Sequence, residues 1–198
     1  KSTRLLPGAA PGSIPWDAFD IDVVIDSTGV YRTREELQKH IDSGAKRVLV
    51  SKPPTNEIDR IIIQGINDDE IKTEDKIIST TSSTTQVLAL MMKVLDDNFG
   101  IERAMMTTVH AYTSDQPLAD AVRSDLRRSR SAVENIIPNE TWAPDYVAQL
   151  MPKFEQKITG IAMNVPVANG SCIDLTTEMA IMPTIEEVNM SFQKASRE

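Results

Sequence analysis

Residues 21–51, IDVVIDSTGVYRTREELQKHIDSGAKRVLVS, read as strand, helix and strand in turn. The run 21–26 is apolar and is closed by Ser27, Thr28 and Gly29, the pattern of a buried parallel strand leading into a turn. Thr33 with Glu36 three residues later forms a capping box, and the helix it opens runs to Gly44, a favoured residue just past a helix end. Residues 47–51 make the next strand. Strand, helix and strand joined by short connections predict a parallel sheet and an α/β fold.

Outward from this unit the chain keeps the same style on one side only. Residues 1–20 are rich in proline and glycine (Pro7, Pro11, Pro15, Gly8, Gly12) and read as loop with a little extended structure. Short strands are expected at 60–64 and 76–79. Ser82 or Ser83 then caps a helix through Phe99, on which Val87, Leu88, Leu90, Met91, Val94 and Leu95 fall near helical spacing, and Gly100 ends it. Beyond it, 104–109, 158–165 and 171–179 read as long strands with little helix between them. Thr184 and Glu187 form a second capping box, opening a final helix to about residue 195. The change of style places a domain boundary near residue 82. It separates an α/β part, 1–82, from an α+β part, 83–198, with a mostly antiparallel sheet.

Composition narrows the function classes. At 198 residues and 40% hydrophobic the chain can bury a core. Its net charge of -8 argues against nucleic acid or an anionic membrane as partner, since both want a basic face. No apolar run is long enough for a membrane span and no apolar signal segment opens the chain. The single cysteine, Cys172, precludes an internal disulfide framework and fits a reducing, cytoplasmic setting. No residue cluster is assigned to a metal; the pairs Met91-Met92 and Met105-Met106 read as core filler.

Residues 79–86, STTSSTTQ, closely resemble the active-site segment of phosphorylating, NAD-dependent glyceraldehyde-3-phosphate dehydrogenases. The resemblance extends to 26–31 (DSTGVY), 98–101 (NFGI), 107–113 (TTVHAYT), 125–130 (DLRRSR), 135–138 (NIIP) and 174–176 (DLT), and it is the common order and spacing of these segments that carries it. It implies the C-terminal part of an NAD-binding Rossmann domain over 1–82 and most of a catalytic domain over 83–198. The chain opens on Lys1 and contains no Gly-x-Gly-x-x-Gly, so it is expected to be an internal fragment of a longer protein. The resemblance also implies a cytoplasmic, glycolytic setting and a homo-oligomer, a tetramer, with the arginine-rich run Arg123, Arg127, Arg128 and Arg130 in a loop at the subunit interface.

In that family a cysteine thiolate attacks the aldehyde, a histidine takes its proton, hydride passes to NAD, and phosphate cleaves the thioester. The positions carried over here are Ser83 for the nucleophile and His110 for the base, with Gln86 where the family has asparagine. A thiol suits the chemistry because its pKa is near ~8.5 and falls further beside an imidazolium. A helix N-terminus further favours the anion. A serine hydroxyl stays protonated at neutral pH and needs a strongly positioned base. Three readings of Ser83 stay open. It is a helix cap in a protein that has lost the reaction, or it is a nucleophile activated by His110, with Asp115 the nearest carboxylate in sequence, or it is an engineered replacement of the cysteine in an active enzyme. Among the phosphate-binding positions, Ser82, Thr84, Thr113, Arg130 and Thr141 are retained. Asn164, however, stands where an arginine is expected, and Trp142 stands beside Thr141 where a glycine is expected. Asparagine replaces neither the charge nor the bidentate donors of a guanidinium, and an indole there is expected to crowd the loop.

On the cofactor side, Ser27, Thr28 and Gly29 match the turn under the adenine half of NAD, and Ser51 is retained in the next strand loop. Lys52, where the family has a small residue, is either a solvated charge or a cofactor contact. His40 reads as solvated on an exposed helix side, and Cys172 as a buried structural thiol. The expected function is a glyceraldehyde-3-phosphate dehydrogenase-like pseudoenzyme that keeps NAD binding and assembly. The rival is an active NAD-dependent aldehyde dehydrogenase or acyl-transfer enzyme on a different, unphosphorylated small molecule.

Overall fold

A computed structural model describes residues 3–8 and 10–197. It divides the chain into two compact units, Lys1–Gln86 and Val87–Glu198. Among the described residues no helix is long and apolar enough to cross a membrane.

The first unit is a four-stranded sheet in the order β1-β2-β4-β3, in which every pairing is parallel. Its strands are β1 (Val23–Asp26), β2 (Arg47–Val50), β3 (Arg60–Ile61) and β4 (Ile77–Ser79). The helix α1 (Arg34–Asp42) crosses between β1 and β2. It starts as the sequence demands: Thr33 accepts from the Glu36 backbone N–H, and the Glu36 carboxylate accepts from the Thr33 N–H at 2.9 Å. It stops on a left-handed Gly44 (φ +104°), with Gly44 N–H donating to Ile41 O and Ala45 N–H to His40 O. These two bonds satisfy carbonyls that the helix end would leave bare. A side chain at Gly44 would also strike the Asp17 backbone, the would-be Cβ lying 2.6 Å from Asp17 N.

Leu37 on α1 packs with Val48, Val50, Ile58 and Ile77 as one buried cluster, flanked by Tyr31, Ile41 and Ile61. Full burial of such a side chain stabilises by roughly 2 kcal/mol. The strand β1 departs from its expected full burial. Val24 and Asp26 are buried while Val23 and Ile25 are 50% and 65% exposed, so it alternates like a strand with one bare face. The strand expected over 60–64 pairs only as Arg60–Ile61. From Ile63 on the chain turns, held by Ile63 N–H and the Asn67 side chain.

The helix α2 (Ser83–Phe99) begins in the first unit and continues in the second. Its buried stripe is Thr85, Leu88, Ala89, Met92, Leu95 and Phe99, a 3.6-residue period. Val87 and Leu90, also expected on the core face, are 48% and 41% exposed.

The second unit is a mixed sheet in the order β6-β7-β5-β8. Its strands are β5 (Ile101–Ala111), β6 (Ile137–Asn139), β7 (Ile158–Val165) and β8 (Ser171–Met179). The β5–β8 and β6–β7 pairings are antiparallel, as expected of most of this sheet, but the central β5–β7 pairing is parallel over eight residues. The helix α3 (Ala143–Leu150) lies on β7 where Gly160 admits it: a methyl at Gly160 would sit 3.0 Å from both Pro144 Cγ and Met106 O. The last helix, α4 (Ile185–Ala195), opens with the expected Thr184–Glu187 capping box. Neither β6 nor α3 was expected from the sequence.

Candidate functional site

Three turns leave the carboxyl edge of the parallel sheet, the place where α/β sheets hold ligands. After β1, the buried Asp26 bends the chain. Its Oδ1 accepts from Thr28 N–H at 2.9 Å and from Thr28 Oγ1–H at 2.7 Å, and Thr28 Oγ1 in turn accepts from Val30 N–H at 3.2 Å. Gly29 takes φ +72° there, a conformation that other residues adopt only with strain. After β2, Ser51 N–H donates to Asp26 O at 3.0 Å, which sets Ser51 beside the first turn. The Lys52 stem lies over Gly29, whose would-be Cβ is 3.5 Å from Lys52 Cε. The Lys52 ammonium has no ion-pair partner among the described residues. Thus Ser27, Thr28, Gly29, Ser51 and Lys52 share one edge.

The third turn follows β4 and starts α2. Ser79 Oγ–H donates to Lys52 O at 2.9 Å and accepts from Thr81 N–H at 3.0 Å, tying this turn to the second. Thr81 is held at φ +60°, fully buried, with its hydroxyl oxygen unpartnered among the described residues. A β-branched residue at positive φ is strained. Gln86 Nε2–H donates back to Thr80 O at 2.8 Å and braces the loop. The cap of α2 is Ser82: its Oγ accepts from Thr85 N–H at 3.1 Å and bonds Thr85 Oγ1 at 2.8 Å. Ser83 is therefore the first helical residue and not the cap. It is exposed, and its hydroxyl makes no hydrogen bond among the described residues. Thr84, half-buried, follows it.

In the second unit His110 stands near the carboxyl end of β5, between Asn164 of β7 and Ser171 of β8 in register. Its Nδ1 lies 2.7 Å from Ala111 O. A carbonyl only accepts, so Nδ1 carries the ring proton and Nε2 is left as the free, basic nitrogen. No carboxylate is needed to fix this tautomer. Asn164 Oδ1 accepts from Asn139 Nδ2–H at 3.4 Å. Thr113 spends both N–H and Oγ1–H on the buried Gln116 side-chain oxygen, at 2.7 and 3.1 Å. Arg130 pairs with Asp120 at 3.0 Å on the surface. Thr141 Oγ1 accepts from Ala143 N–H at 3.3 Å at the start of α3. Trp142, beside it and just ahead of α3, is 66% exposed.

Two further sequence expectations are corrected. His40 is buried, 6% exposed, between Trp16 and Asp26, because it sits three residues after Leu37 on the inward face of α1. Cys172 is exposed, because it lies on the open side of the edge strand β8. Sequence reasoning also passed over Thr81, Gln116 and Asp120, whose geometry is set by the loops that hold them.

One unit is a parallel sheet with polar turns along its carboxyl edge and the other a mixed sheet whose strand β5 bears His110; together they make a two-unit α/β protein. Residues 82–198 match the family model for the glyceraldehyde 3-phosphate dehydrogenase C-terminal domain. The chain is similar to the glyceraldehyde-3-phosphate dehydrogenase of Streptomyces coelicolor, at 45% identity over 197 residues, 99% of this chain and 58% of the relative. It is also similar to those of Mycobacterium leprae, at 44%, and Mycobacterium tuberculosis, at 42%, each over 196 residues and the same shares. The chain belongs to the glyceraldehyde-3-phosphate dehydrogenase family, and it spans somewhat over half the length of these relatives.

Proposed function

We propose that this chain is a glyceraldehyde-3-phosphate dehydrogenase-like protein impaired in, or silent for, phosphorylating aldehyde oxidation. It retains NAD binding at the parallel-sheet edge and assembles as a homo-oligomer in the cytoplasm, a tetramer by family resemblance. The observation that carries this is Ser83 itself, an exposed alcohol as the first residue of α2, where the family chemistry uses a thiol. The helix N-terminus favours an anion there by about 0.3–1 kcal/mol, too little to ionise a hydroxyl at neutral pH. An ester formed at Ser83 would also be a poorer acyl donor to phosphate than a thioester. Asn164 adds to the impairment, because its amide offers no fixed charge and its oxygen is engaged by Asn139.

The sheet edge fits a dinucleotide in part. Gly29 adds no side chain of its own to the first turn, where the Lys52 stem lies over it, Ser27 and Ser51 flank the turn, and the unpaired Lys52 ammonium suits a phosphate. When bound, NAD supplies the hydride acceptor.

A second reading is favoured by two free atoms. Ser82, not Ser83, caps α2, so the Ser83 hydroxyl is unspent, and His110 Nδ1 is engaged, so Nε2 is available. That reading keeps the sequence expectation of an active enzyme on an unphosphorylated aldehyde or ester, with Ser83 as nucleophile and His110 as its base. NAD-dependent oxidation of glyceraldehyde 3-phosphate, with phosphate present, separates the readings when wild type and Ser83→Cys are compared. The expected result is a silent wild type, with activity recovered in Ser83→Cys if only the nucleophile is missing. Silence in both means that restoring the thiol is not enough, as expected if Asn164 and Trp142 have closed the site. An active wild type overturns the impaired reading.

A further inference from the structure

Three buried or half-buried side chains far apart in sequence meet behind the first turn, and the proposed chemistry uses none of them. Trp16 Nε1–H donates to His40 Nδ1 at 3.2 Å, the two rings lying 5.9 Å apart. His40 Nε2 faces Asp26 Oδ2 at 3.4 Å, with both residues less than a tenth exposed. An indole N–H only donates, so His40 Nδ1 must be an acceptor, and the ring proton is on Nε2, pointing at the carboxylate. The other carboxylate oxygen, Oδ1, holds the N–H and the hydroxyl of Thr28. One line of donors thus runs from Trp16 through His40 to Asp26, and the same carboxylate shapes the turn that carries Gly29.

We propose that His40 is a positioning residue for the Ser27–Thr28–Gly29 turn, holding the Asp26 carboxylate in the one rotamer that grips Thr28, with Trp16 fixing the His40 tautomer. The assignment of that turn to a dinucleotide rests on the proposed function; the positioning itself does not. Without a donor at Oδ2 a buried carboxylate oxygen is left bare, and the group relieves this by turning, which releases Thr28. Glutamine can replace the imidazole at both ends, its Nε2–H donating to Asp26 and its Oε1 accepting from Trp16. Methionine fills the same space and can do neither.

Amide hydrogen exchange followed by NMR on this chain, in wild type, His40→Met and His40→Gln, tests the idea, with NAD titrated into the same samples. In His40→Met the Thr28 amide exchanges about tenfold faster, while the Val48 and Val50 amides keep the wild-type rate. In His40→Gln it returns to within about twofold of wild type, and NAD affinity follows the same order. A Thr28 rate unmoved in His40→Met, or glutamine no better than methionine, overturns the proposal. Should His40→Met not fold, Trp16→Phe replaces it: loss of the tautomer lock speeds Thr28 exchange, and an unchanged rate overturns the proposal equally. If wild type does not bind NAD, the dinucleotide reading falls, and the exchange rates still decide whether His40 sets the turn.

Discussion

Thr81 is the most strained residue of the candidate site. Its φ of +60° places a β-branched side chain against its own backbone, and its buried hydroxyl has no partner among the described residues. Each feature costs on the order of 1–3 kcal/mol and persists only because the loop around it is fixed from both sides. Ser79 holds the Thr81 N–H and Gln86 holds the Thr80 carbonyl, so the helix head is braced at the expense of the residue between. Thr81→Ala removes the orphan hydroxyl and the β-branch while losing one methyl. It is expected to stabilise the chain by about 1 kcal/mol, read as a higher midpoint in urea. A lower midpoint would show that the hydroxyl is satisfied and the methyl is what matters. Ser83 beside it was legible as a departure from the family pattern, but its hydrogen bonding was not. Whether Ser82 or Ser83 caps α2 turns on a one-residue shift that sequence cannot choose between two serines. His40 was misread for a related reason. Its polar type suggested solvent, although its spacing from Leu37 placed it inward, and its partners lie 14 and 24 residues away.

Elements were legible where their signals are local. Both capping boxes form as read, because donor and acceptor lie within four residues, and Gly44 ends α1 because only glycine takes φ +104° against the Asp17 backbone. The strands β7 and β8 run over the residues expected. What failed was whatever depends on a distant neighbour. The strand β6 is three residues with a proline in the middle, and nothing but its pairing with β7 makes it a strand. On α2 nearly every side is apolar, so periodicity could not tell Leu88 from Val87. The helix α3 depends on Gly160 in the same way. The methyl of Gly160→Ala would press on Met106 O and Pro144 Cγ at 3.0 Å, one of them backbone that cannot swing aside. The substitution is expected to cost about 1–3 kcal/mol in the second unit, measured as a lower urea midpoint. An unchanged midpoint would mean that α3 can lift off β7 freely.

Across the whole chain, a net charge of -8 is held together by carboxylates that each tie several donors, and this sets how the protein meets acid. Asp59 in the first unit and Asp96 in the second are two such anchors. Asp59 accepts from the backbone N–H groups of Lys76 and Ile77 and from Arg34, binding the segment before β3 to the start of β4. Asp96 on α2 accepts from the Ile101 N–H and from Lys153, pinning the helix end to the start of β5. Burial alone would raise both acids, but the Ile77 N–H and Arg34 in one case, and Lys153 and the Ile101 N–H in the other, bring each below its ordinary value of 3.8. A lowered folded pKa means the unfolded chain binds protons first. The stabilisation is therefore complete above 3.8 and is lost as the pH falls through the still lower folded values. The two tryptophans, Trp16 and Trp142, fall one to each unit, so Trp142→Phe leaves a signal from the first unit alone. In that background the urea midpoint should drop as the pH is taken from about 6 to about 3, and Asp59→Asn should lower the midpoint at the higher pH and flatten the drop. A drop of the same size with and without Asp59 would place the acid sensitivity of the first unit on other carboxylates, and its anchoring role would be lost with it.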